Sequence, residues 1–276
     1  MRTITIKSVL TACALVLGGA SLTACVTPIP ANLPLATGAR EAITSTEVVA
    51  PIAQNEIYVY VVPSTAGAAV GGGFGIVGAL AGVAIDASVN AANTKAAEGD
   101  VKPARDAIVD YNFDGVLTAD LQKSLSEVGF LKVQGVRATK DIAQASLDKS
   151  VTNSSAGVVL MTIAKYEFNG DATSLTITMT ADLYVKDPAL AGYKPTKTAN
   201  AKMVAYPGNS IYRNTFTYAQ PLAGATTKRD QNIAKWSADK GKAIREALDA
   251  GSAAVASKLA ADIQRAPPPV ASKKKK

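Results

Sequence analysis

The side chains that could do chemistry in this chain are few, and their types narrow the choice. The sequence has no histidine, so the commonest base near neutral pH is missing, and with it the Ser-His-Asp and Cys-His pairings. Two cysteines without an imidazole give zinc no ligand set. Carboxylates remain, and the densest group of them is DYNFDGVLTADL. It starts like a calcium loop, with Asp110, Asn112 and Asp114 at positions one, three and five, Gly115 at six and Thr118 at nine. Position twelve, where a bidentate glutamate would supply two oxygens, is Leu121. Ile108, Tyr111, Leu117 and Leu121 also keep helical spacing through the stretch. The expectation is therefore acids on the surface of one continuous helix, no metal and no enzyme.

The second candidate is AGAAVGGGFGIVGALAGVAIDAS, which begins at Ala66. Within it GFGIVG, with Gly73, Gly75 and Gly78, matches a dinucleotide fingerprint literally. No GK[ST] follows, however, and no acidic residue closes a second strand about twenty positions on, so no cofactor is expected. The spacing says something else. Gly67, Gly71 and Gly75 recur every four residues, as do Gly78 and Gly82, with a step of three between the sets. On a helix they form one stripe, with Val70, Phe74, Ile76, Val77, Leu80 and Val83 on the other sides. Such a stripe lets another backbone approach closely. Each glycine costs an exposed helix about 1 kcal/mol relative to alanine, so five in line need a partner. Three are open: the protein's own sheet or helices, the same segment in neighbouring subunits, or lipid. The expectation is a close-packing helical seam, within the subunit or between subunits at the membrane.

The ends of the chain give the setting. MRTITIK is a basic n-region and SVLTACALVLGGA an apolar run of secretory-signal length. Leu22, Thr23, Ala24 and Cys25 then resemble the lipobox of bacterial lipoproteins. That resemblance implies cleavage before Cys25 and acylation of its thiol; the alternative is a generic signal with a chance cysteine. Val26, rather than aspartate, at the second mature position implies release to the outer membrane. At about 0.8 kcal/mol per buried methylene, the three acyl chains of that family would hold the protein on a membrane unaided. Cys13 lies in the signal, which leaves no pair for a disulfide.

Of the net charge of +7, Arg2 and Lys7 leave with the signal and Lys273, Lys274, Lys275 and Lys276 supply four more, so the body is near neutral. That argues against a nucleic-acid-binding surface, which needs Lys and Arg clustered across a face. The terminal KKKK behind Pro267, Pro268 and Pro269 reads as a stiff spacer with a basic tip, either solvated or touching anionic headgroups.

The body should position these features as follows. Residues 1–24 are signal, 25–54 a proline-containing tether, 55–265 one α/β periplasmic domain with a glycine-rich helix over 65–98, and 266–276 a tail. EIYVYVV, 56–62, reads as a central strand covered on both faces. A helix starts near Pro103, carries Leu117, Leu121, Leu125 and Val128, and ends at Gly129 as a left-handed cap. A short strand at 130–133 and a weak helix over 141–149 follow. GVVLMTIAKYEF meets Asn169-Gly170, a hairpin signal, and leads into a second strand. There Leu175, Ile177, Met179, Ala181, Leu183 and Val185 form a core face, while Thr176, Thr178, Thr180, Asp182, Tyr184 and Lys186 form a wet one. Two further strands fall at 199–206 and 211–218. One long helix over 229–264 ends the domain, its stripe Ile244, Leu248, Gly251, Val255, Leu259 and Ile263 lying on the sheet. The fold class is α+β, a mixed and mostly antiparallel sheet with helices layered on one face.

LTADLQKSLSEVGFLKV, VVLMTIAKYEFNG, the threonine-rich strand and WSADKGKAIREALDAGSAAVASKLAADI, in that order, resemble periplasmic α/β lipoproteins. The curli secretion channel lipoprotein and the penicillin-binding-protein activator lipoproteins are among them, together with uncharacterised proteobacterial lipoproteins that carry the same glycine stretch. The resemblance implies a fold and a compartment, not an activity. The functional expectation is a non-enzymatic envelope scaffold or assembly adaptor on the periplasmic face of the outer membrane. The alternatives are a homo-oligomeric pore or secretion subunit whose glycine helices meet in the bilayer, and a binding module for a small apolar ligand or lipid.

Overall fold

The computed structural model describes residues 29–30, 32–59, 91–190, 192–193, 203–204 and 210–265. The elements in chain order are β1 (Ile29–Pro30), α1 (Thr37–Ala42), β2 (Thr46–Pro51), β3 (Tyr58–Val59), α2 (Ala91–Ala107), α3 (Phe113–Ser126) and β4 (Val133–Thr139). They are followed by α4 (Gln144–Thr152), β5 (Val158–Phe168), β6 (Ser174–Val185), β7 (Met203–Val204), β8 (Ser210–Pro221) and α5 (Arg229–Gln264).

The α+β class holds. One mixed sheet has the order β4-β2-β5-β6-β8, with β3 beside the far end of β5. β4, β2 and β5 run parallel, whereas β5, β6 and β8 form a longer antiparallel half. The alternation in β6 buries Leu175, Ile177, Met179, Ala181 and Leu183 beneath the helices. On α5 the stripe from Ile244 to Ile263 is buried in full. Gly251 shows how closely that helix lies on the sheet: a Cβ there would stand 2.2 Å from Ile177 Cδ1 and 2.8 Å from Tyr218 Cδ1.

Several expectations are corrected. Residues 32–54 are not a tether. Leu33, Leu35, Ala39 and Ile43 are buried, and β2 lies inside the sheet between β4 and β5, its apolar residues buried on both faces. Of the strand expected over 56–62 the described part, β3 (Tyr58–Val59), is not central: it pairs only with the end of β5 and Tyr58 stands at 36% exposure, while 60–62 lie outside the described residues. The helix expected from Pro103 begins by Ala91 and contains that proline. It does not run on through Leu121, because the chain turns between Ala107 and Phe113, where Asn112 Oδ1 accepts from Gly115 N at 3.0 Å and caps α3. The left-handed residue after α3 is Lys132, at φ 48°, not Gly129, and the strand expected at 130–133 starts at Val133.

The hairpin forms, but Ala172 takes the positive φ of 55°, and the Asn169 side chain closes the loop by accepting from Ser174 N at 2.9 Å. Of the strand expected over 199–206 the described part is Met203–Val204, paired with Ile29–Pro30. The last helix is two helices joined through Ala238, Asp239, Lys240 and Gly241. Gly241, at φ 70°, packs on Ala107 and Ile108, where a Cβ would meet Ile108 Cγ2 at 2.8 Å. Finally, the helices are not all on one face, since Leu147 and Val151 of α4 cover Met161 and Ile163 on the other.

Candidate functional site

Cys25, Gly67, Gly71, Gly75, Gly78 and Gly82 lie outside the described residues, as does the lysine tail. The structure instead locates the points at which those segments join the body. They fall at opposite ends of the sheet.

At the first end the incoming N-terminal segment is stitched to β8. Leu33 N donates to Arg213 O at 2.7 Å, and Arg213 N donates to Leu33 O at 2.9 Å. Those bonds turn the Arg213 peptide away from β6, so its side chain stands close against that of Asp182, its partner in the ladder. The guanidinium Nε lies 2.9 Å from Asp182 Oδ1, and the two side chains are 4% and 0% exposed. The Ser210 hydroxyl reaches the same carboxylate oxygen at 3.3 Å. Asp182 was expected on the wet face; Arg213 is what permits its burial. Burial pushes this carboxyl up to about 6, although Arg213 and Ser210 both pull it down.

The helix side of the same end is tied as firmly. Tyr212 Oη donates to Asp262 Oδ2 at 2.9 Å, and Asn214 Nδ2 donates to it at 2.8 Å. Burial, then the Asp262 charge, pushes the Tyr212 phenol well above its ordinary range. Arg40 of α1 donates to Gln264 O at 2.9 Å and to Arg265 O, capping the carbonyl end of α5, and it lies over the Phe130 ring at 5.5 Å. Leu33 and Arg265 thus lie at one pole.

The second pole is the hairpin end. Trp236 Nε1 donates to Ala172 O at 2.8 Å, and Asn232 Nδ2 donates to Asp171 O at 2.8 Å, which clamps the start of α5 to the loop. β3 pairs Tyr58 with Glu167 and Val59 with Phe168. Arg105 fixes that strand from α2: it donates to Ile57 O at 2.9 Å, stands 3.1 Å from Glu56 and lies 5.6 Å over the Tyr58 ring. Farther back along α2, Asp100 faces Arg229 at 3.6 Å, so Ala91 lies beyond the start of α5. Both residues that flank the glycine segment, Val59 and Ala91, are therefore at this pole. Met161, opposite Asp182, and Phe168, beside Val59, are seven residues apart on β5, which is about 23 Å.

The calcium near-miss does not assemble. Asp110 pairs with Arg245 at 2.5 Å, Asn112 caps α3, and Asp114 pairs with Lys140 at 2.8 Å. Hydrogen bonding to Arg245 holds the Asp110 carboxyl below its ordinary range. Among the described residues no three acidic, histidine or cysteine side chains are grouped to hold a metal, and no helix is long and apolar enough to cross a membrane. The buried Asp182 and Arg213 pair escaped the sequence reading. Its one signal was an arginine on the alternating face of SIYRNTFTY, where the neighbouring β6 strand offers a single acid among threonines.

No family model matches the chain, and no curated protein matches it. Among solved structures the chain is similar to the PelC dodecamer from Paraburkholderia phytofirmans at 13% identity, with 82% of this chain and 91% of that one covered and a TM-score of 0.26. A single-residue variant of that dodecamer gives 13% identity, 75% and 91% coverage and a TM-score of 0.24. A likeness at that level identifies neither assembly nor function for this chain.

Proposed function

We propose that this protein is a non-enzymatic lipoprotein, anchored through Cys25 at the periplasmic face of the outer membrane, that acts as a scaffold or assembly adaptor. Its glycine stripe is then a packing surface for a protein partner. The observation that carries this reading is the polarity of the body. Asn32 is seven positions from Cys25, a reach of about 23–25 Å at most, and Ile29–Pro30 within that span is already paired with Met203–Val204, so a lipid at Cys25 would keep the first pole near the membrane. Val59 and Ala91, the described residues that flank the segment bearing Gly67, Gly71, Gly75, Gly78 and Gly82, lie at the far pole.

The homo-oligomeric pore is the second reading. It draws support from Val59 and Ala91 lying at one pole, which lets the stripes of neighbouring copies meet there. It requires those stripes to enter a bilayer, and the polarity makes the anchoring bilayer the less accessible one. Light scattering on detergent-extracted protein separates the two: a Cys25→Ser chain that is monomeric in water supports the scaffold, and a discrete ring supports the pore. Gly71→Leu with Gly75→Leu should abolish that ring and leave the thermal transition of the body unchanged.

A further inference from the structure

The two outer edges of the mixed sheet are finished differently. On β8 the outward backbone groups are covered one after another: Arg213 exchanges both of its bonds with Leu33, Asn214 Oδ1 accepts from Thr215 N at 2.8 Å, and Lys258 Nζ donates to Thr217 O at 2.7 Å. Pro221 ends the strand. Coverings of this kind keep an edge from pairing with other chains.

β4, at the opposite edge, carries no such covering among the described residues. Its register sets Ala138 beside Ala50, and Ile52 N donates to Thr139 O at 2.9 Å, so Arg137 and Thr139 turn their backbone groups toward β2. Val136 and Ala138 therefore turn N–H and C=O outward. The strand is seven residues long, has no proline, and is exposed at Arg137 and Ala138. Val136 packs against the core, while Arg137 stands on the other face beside Glu47. Arg137 bonds that carboxylate through Nε, at 2.7 Å, and its side chain is 46% exposed. Two guanidinium nitrogens remain, in the fork that suits a second carboxylate. A second copy of this chain does not supply one. Two-fold pairing of β4 with itself, centred on Val136, would set Arg137 of each copy against Gly135 of the other and Lys132 against Lys140, like charges across the pair.

We infer that the outer edge of β4 is a docking edge for an extended peptide segment of another protein, added to the sheet as a further strand with a carboxylate opposite Arg137. Main-chain bonds to Val136 and Ala138 hold the segment, its apolar side chains lie beside theirs, and the carboxylate fixes the register. The inference gives the adaptor a place for its partner, and rests on the scaffold-or-adaptor reading for that biological setting alone.

The test titrates the detergent-extracted chain into a fluorescein-labelled peptide of alternating threonine and valine with a glutamate at the centre of the threonine face, TVTVEVTVT, and reads anisotropy. Saturable binding is expected. Ala138→Pro removes an outward N–H and spares the ladder to β2; it should abolish binding while the thermal transition of the body is kept. Arg137→Gln should weaken binding about two- to fivefold. A peptide with lysine in place of the glutamate should bind the natural chain less tightly and regain affinity for Arg137→Glu. Absence of saturable binding, binding that survives Ala138→Pro in a folded chain, or indifference to the charge exchange would overturn the inference. So would self-association that Ala138→Pro disperses, which assigns the edge to a second copy. Light scattering reads the scaffold separately: a monomer that binds no peptide keeps the scaffold reading and loses the docking edge. A ring that binds the peptide keeps the docking edge and loses the scaffold reading.

Discussion

Asp182 and Arg213 leave water together, and the desolvation of two charges is offset only while each faces the other. Removing Arg213 leaves the buried Asp182 carboxylate without its partner, so Arg213→Met should cost about 3–5 kcal/mol in urea unfolding at pH 7. Replacing both with apolar residues of similar size should cost much less. The titration has a definite sign. With a folded value of about 6 against about 3.9 in the unfolded chain, the folded state holds the proton more tightly. The contribution of this carboxyl to stability is therefore full below about pH 4 and lost as the pH rises through about 6. Glu47, Asp110 and Asp141, all lowered, act in the opposite direction. The quantity to measure is thus the difference between wild type and Asp182→Asn: it should vary between pH 4 and 6 and be flat above. A difference that is flat throughout would contradict the assignment. Gly251 makes an independent residue-scale case, since Ile177 and Tyr218 occupy the space of any side chain there. Gly251→Leu should destabilise by about 1–3 kcal/mol or more, measured the same way.

Among the elements, the N-terminal segment departs most from its sequence reading. Four prolines suggested a tether, yet TEVVAP is a strand whose apolar residues are buried on both faces and so lack the alternation that marks a half-exposed one. Leu35, 1% exposed, decides between the two readings. Leu35→Ala should cost about 2–5 kcal/mol if the segment is core, whereas a tether position would fall within about 0.5 kcal/mol. The α5 stripe was legible because one helix face carries the whole pattern, and β5 with β6 because alternation and a turn signal coincide. The break inside α5 was not: the apolar stripe resumes at Ile244, and Asp239 and Lys240 take left-handed conformations that their types do not announce. The end of α2 was hidden for a similar reason, as helical spacing continues across the turn that Asn112 caps.

At the scale of the whole molecule, what matters is which features share an end, and no local pattern encodes that. It follows from strand order: β3 beside the last residues of β5, and Leu33 beside the first residues of β8. The sequence offers Cys25, the glycine stripe and the lysines as separate motifs; the sheet separates Val59 and Ala91, which flank the second, from Leu33 and Arg265, the residues nearest the other two along the body. This polarity is the central claim, and energy transfer to a headgroup acceptor tests it most directly. Single donors would be placed at Ala189→Cys, in the turn Pro188–Leu190 just past the Asp182 end of β6, and at Asp171→Cys, on the hairpin pole, in acylated protein on vesicles. The account predicts strong transfer from position 189 and weak transfer from position 171, consistent with a separation of about 23 Å along the sheet. Equal or stronger transfer from position 171, or no transfer from either, would contradict it.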